Sequence, residues 1–118
     1  MSQLTEKIAL YNAEFTKLSL DVDAALVEAV TKKMGPVIYN EDSSRVSCSD
    51  PEELARVKNN FLIKKLGMAD SADLDAAIAD VCSQLGSSNR NKYRAMFYTL
   101  LVIKFERQGD YIISGMSS

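Results

Sequence analysis

The segment 95–105 constrains this chain more than any other. Ala95, Met96, Phe97, Tyr98, Leu100, Leu101, Val102, Ile103 and Phe105 leave only Thr99 and Lys104 as polar members. At about 100° per residue those apolar side chains cover almost the whole circumference of a helix. Such a helix has no face to offer water and belongs in the middle of a bundle, with other helices packed around it. It falls far short of the ~20 residues a membrane-spanning helix needs, so no membrane partner is expected.

The helices to surround it are signalled elsewhere. Leu4, Ile8, Tyr11, Phe15 and Leu18 fall within about 80° on a helical wheel, a narrow seam expected to face the core. Asp21 or Asp23 caps a second helix bearing Val22, Leu26, Val30 and Met34, with Glu28 and Lys32 paired on its outer side and Gly35-Pro36 as its stop. Asp50-Pro51-Glu52-Glu53 combines an acidic cap, proline at the first helical position and a glutamate three residues after the cap. The third helix so begun carries Leu54, Val57, Phe61, Leu62 and Leu66 to Gly67, with Lys64 and Lys65 in its last turn, where the helix dipole favours them. Asp70 or Ser71 opens a fourth, with Leu74, Ile78, Val81, Cys82 and Leu85, ended by Gly86. Ser87 or Ser88 opens the fifth, which contains the apolar segment and runs to about Arg107. Between Gly35 and Ser49 no helical period survives, though Val37, Ile38 and Tyr39 can tuck one end under the helices, as a short strand or a helical turn.

The expected fold is therefore all-α: one compact bundle of about five helices, the hydrophobic C-terminal one at the centre. With 118 residues, 47% of them apolar, the chain suits a single domain over 1–118 with a fraying tail at about 114–118. The N-terminus has no apolar run behind a basic segment, so no signal peptide is expected, and the location expected is cytoplasmic. Cys48 and Cys82 form no metal-spaced pattern; reduced thiols are expected, Cys82 as a packed one, with a regulatory disulfide as the alternative.

The chain contains no histidine, which removes the commonest general base and the His-activated nucleophile pairs. No glycine lies in a nucleotide-binding fingerprint, and no cofactor or metal is expected. Asp70, Asp73, Asp75 and Asp80 read as a solvated helix face. A net charge of −2 argues against a protein built mainly to hold nucleic acid.

One local anomaly stands out. Ser88, Arg90, Lys92 and Arg94 place three cations in the opening turns of the fifth helix, where the dipole prefers acids. Two readings follow. The cations are neutralised by carboxylates of the same chain, such as Asp50, Glu52 or Asp73, or they receive an external anion, a peptide carboxylate or a nucleic-acid phosphate. Because Lys92 points away from Arg90 and Arg94, no continuous basic stripe forms, and internal salt bridges are the favoured reading. Tyr39, Tyr93 and Tyr98 read as core residues rather than as a platform for bases.

Several blocks resemble a family of small bacterial proteins known as a domain of unknown function (DUF 2853). They are Gly35-Pro36-Val37-Ile38-Tyr39-Asn40, Ser49-Asp50-Pro51-Glu52-Glu53-Leu54, the run from Val57 through Phe61 to Gly67, and Arg90-Asn91-Lys92-Tyr93-Arg94-Ala95. The resemblance implies a compact, mainly helical cytoplasmic protein and carries over no active site. The leading expectation is a non-enzymatic binding or adaptor module with a protein partner. Nucleic-acid or anion binding through the basic helix start comes second, and an enzyme acting on an anionic substrate third. The surface expected to matter joins the start of the fifth helix to the loop from Tyr39 to Ser49.

Overall fold

The computed structural model describes residues 3–39, 45–86, 92–107 and 109. It is an all-α fold, with α1 over Gln3–Lys17, α2 over Ala24–Met34, α3 over Pro51–Arg56, α4 over Ala72–Leu85 and α5 over Arg94–Lys104. A 3-10 turn, Gly35–Tyr39, follows α2, and α3 runs on directly into a π-helical segment, Val57–Ile63.

α5 is the hub, packing against α1, α2 and α4. Ala95, Met96, Phe97, Thr99, Leu100, Leu101 and Val102 are all buried, while Lys104 reaches solvent and pairs with Asp80 of α4 at 2.7 Å. Thr99 enters this apolar setting because its hydroxyl donates to the Ala95 carbonyl at 2.7 Å; buried Thr31 of α2 does the same to Val27 at 2.6 Å. Around the hub, α2 contributes Leu26, Val27 and Val30, and α4 contributes Leu74, Ala77, Ile78, Val81 and Leu85. α1 contributes Tyr11 and Phe15 in full, while the outer members of its seam, Leu4, Ile8 and Leu18, are half-buried.

The ends of the helices show where local chemistry decides. Asp23 caps α2 through the Ala25 amide at 2.9 Å, and Asp50 caps α3 through the Glu52 amide at 3.0 Å, with Pro51 at the first helical position. α1 closes on Ser19, a non-glycine residue with φ 61°: the Leu20 amide reaches back to the Phe15 carbonyl and the Ser19 amide to that of Thr16. This paired closure satisfies carbonyls that the helix end would leave bare. Glu106, φ 56°, ends α5 the same way, with Arg107 bonded to Val102 and Glu106 to Ile103. The helix thus stops at Lys104, not near Arg107.

Four further expectations need correction. The third helix does not continue as α-helix to Leu66: from Val57 it widens into the π form, in which Lys64 N–H bonds to Asn59 and Leu66 N–H to Phe61. The fifth helix begins at Arg94 rather than at Ser87 or Ser88, because Tyr93 is extended (φ −64°, ψ 138°) and forms an antiparallel bridge with Arg45. Cys48 and Cys82 are joined as a disulfide, with Cα atoms 6.0 Å apart, in place of two thiols. In the connection after α2, Ile38 is buried and Tyr39 is 42% exposed, so of the three aromatics assigned to the core Tyr39 lies outside it. The tail at 114–118 lies outside the described residues.

Candidate functional site

The loop after α2 and the start of α5 do meet. Val46 N–H donates to the Lys92 carbonyl at 2.8 Å, beside the Arg45–Tyr93 bridge, and Arg94 donates to the Arg45 carbonyl at 3.2 Å. Segment 45–50 is further fastened to α4 by the Cys48–Cys82 bond and ends in the Asp50 cap of α3. Three helices are thereby gathered at one corner of the fold.

Arg94 is the charge at that corner, and it is neutralised. Its Nη2 donates to Glu53 Oε1 at 2.5 Å, the two side chains being only 13% and 14% exposed. Its Nη1 donates to the Tyr98 hydroxyl at 3.2 Å, and its guanidinium carbon stands 5.8 Å from the Tyr98 ring centre. Tyr98 in turn stacks on Phe61 of the π segment, with ring centres 3.9 Å apart and planes 7° off parallel. The other oxygen of Glu53 takes Arg56 at 2.9 Å. Burial alone would raise the Glu53 pKa; hydrogen bonds from Arg56 and Arg94, with their charges, outweigh it and hold the carboxyl below the usual range.

Internal neutralisation is therefore what Arg94 shows, with Glu53 as its carboxylate in place of Asp50, Glu52 or Asp73. Glu53 looks in sequence like the reciprocal partner of the Asp50 cap. In the structure the Asp50 amide bonds to the Ser47 carbonyl at 3.2 Å, and Glu53 is left to bind the two arginines. Lys92 is buried, 8% exposed, and precedes the helix instead of occupying its first turns. Ser88 and Arg90 lie outside the described residues. The carboxylates read as a solvated face are that: Asp70 and Asp75 both pair with Lys58 of the π segment, at 2.8 and 3.1 Å, and Asp80 with Lys104.

Arg45 is the residue that sequence reasoning missed. It is exposed, its guanidinium carbon lies 5.5 Å from the centre of the Tyr93 ring, and among the described residues it forms no ion pair. Tyr93 rests on Tyr11 of α1, ring centres 5.3 Å apart. Tyr11 is fully buried, and its hydroxyl has no hydrogen-bond partner among the described residues. Burial, with Tyr93 and Tyr39 nearby, pushes its pKa up to about 12. Tyr39 itself is 42% exposed. Nothing in the local pattern around Arg45 announces its place over Tyr93; the bridge to Tyr93 creates it.

No helix of the described residues is long and apolar enough to cross a membrane. A profile of the family described as Protein of unknown function (DUF2853) matches residues 10–109, most of the chain. No curated protein matches it. The chain belongs to that family.

Proposed function

We propose that this member of the DUF2853 family is a non-enzymatic binding module of the cytoplasm. In this reading it engages a protein partner through the corner where segment 45–50 meets the start of α5. The observation that supports it is the division of labour between two arginines. Arg94 is consumed by Glu53 inside the fold, whereas Arg45 stands exposed over Tyr93. An exposed arginine on a tyrosine face is a composition that protein interfaces favour, and its charge selects an acidic segment of the partner. Glu53, already bonded to two arginines, is poorly placed to act as an acid or base, which weighs against the enzyme reading.

Affinity capture from a lysate of the source cells tests this with three baits: the wild-type chain, Arg45→Glu and Tyr39→Ala. A protein retained by the wild type and lost from both variants supports the reading. Identical recovery by all three overturns it. Retention that nuclease abolishes and that falls steeply with salt assigns the corner to nucleic acid instead.

A further inference from the structure

The sulfur bridge has a position unlike that of a core staple. Cys48 and Cys82 both lie at the margin of the hydrophobic cluster, half-buried, and neither belongs to its fully buried set. Cys48 sits between exposed Ser47 and Ser49, whose hydroxyls lie 3.3 Å apart, and Cys82 is followed by exposed Ser83 and Gln84 on α4. Neither sulfur is itself among the fully buried core, although the segment that carries Cys48 also seats Val46, 4% exposed, in that core. Opening the bond removes the covalent tie between segment 45–50 and α4. The segment is then held by the seated Val46 side chain, the Val46–Lys92 backbone bond, the Arg94 contact to the Arg45 carbonyl and the cap at Asp50.

From this placement we infer that Cys48–Cys82 is a thiol–disulfide latch. Oxidised, it fastens segment 45–50 and fixes Arg45 over Tyr93; reduced, it lets the segment open while the helices stay packed. The regulated element is the surface proposed above, so the biological meaning rests on that reading, and so does the reducing compartment in which such a bond is transient. The chemistry needs a dithiol reductant. Its thiolate attacks one cysteine sulfur, the Cys48–Cys82 bond breaks, and a mixed disulfide forms. The reductant's second thiol then displaces the remaining cysteine as thiolate. Two electrons and two protons pass to the protein, which gains two thiols, and the reductant leaves as a cyclic disulfide.

Amide hydrogen exchange on the purified chain, with and without dithiothreitol, tests the latch with no partner present, so its outcome is separate from that of the capture experiment. The probes are the Val46 amide, bonded to Lys92, and the Leu101 amide in the middle of α5. Before reduction, alkylation under denaturing conditions is expected to modify neither cysteine, and afterwards both. Reduction is expected to accelerate exchange at Val46 at least tenfold more than at Leu101, and reoxidation to restore it. The double variant Cys48→Ser, Cys82→Ser is expected to reproduce the reduced pattern. Equal acceleration at both amides, or a double variant that does not fold, makes the bond a staple of the whole fold and overturns the inference. Unchanged exchange at Val46, or cysteines alkylated without reductant, overturns it as well.

Discussion

Glu53 and Arg94, forty-one residues apart in the chain, close an ion pair from which both side chains are largely withdrawn from water. The pair joins the first turn of α3 to the first turn of α5, and it accounts for a cation where the helix dipole disfavours one.

Acid should weaken the fold through Glu53. Its pKa is lower in the folded chain than in the unfolded one, so the unfolded state binds more protons as the pH falls. The contribution is complete above the ordinary carboxylate range and is lost as the pH drops through the folded value. Urea titrations between about pH 6 and about pH 2 should show a steeper loss for wild type than for Glu53→Gln. Parallel curves would mean that Glu53 titrates normally.

Tyr11→Phe should be neutral or stabilising, by up to about 1 kcal/mol, because it removes a buried hydroxyl with no partner and keeps the ring that Tyr93 rests on. A loss above about 1 kcal/mol would show that the hydroxyl is bonded after all.

The role of α5 is tested by truncation. Leu101→Ala should cost about 2–5 kcal/mol, since Leu101 is fully buried at the hub. Leu4→Ala, on the half-buried end of the α1 seam, should cost under about 1 kcal/mol. Comparable losses would place the core elsewhere.

How much of this was legible in the sequence depends on how local the cause is. The buried helix could be read because residues 95–105 admit no polar face, and the α3 start because Asp50 and Pro51 act on their own neighbours. The start of α5 was misplaced because Ser87 and Ser88 resemble caps, while the real boundary is set by the bridge from Tyr93 to distant Arg45. Helix closure by Ser19 and Glu106 was hidden for a related reason: the left-handed turn is more often marked by glycine. The partner of Arg94 is none of Asp50, Glu52 and Asp73, the carboxylates the sequence suggests, because Glu53 carries the signature of a capping residue. The disulfide and the exposure of Arg45 arise from tertiary placement alone, and no spacing in the chain encodes them.

Reduction of Cys48–Cys82 also has a global consequence. The bond spans a sequence separation of 34 residues, so its loss should lower stability by about 3–4 kcal/mol through the entropy of the unfolded chain, a change that speeds exchange at Val46 and Leu101 alike and to which opening of the latch adds at Val46 alone. Urea unfolding with and without dithiothreitol measures this. No difference would mean that the bond constrains neither state.

A double-mutant cycle on Glu53→Gln and Arg94→Gln, read by urea unfolding, bears most directly on the claim that the basic start of α5 is neutralised within the fold. A pair this withdrawn from water should couple by about 2 kcal/mol, more than the 0–1 kcal/mol of an exposed pair. Coupling near zero would contradict the claim, leaving Arg94 available to an external anion.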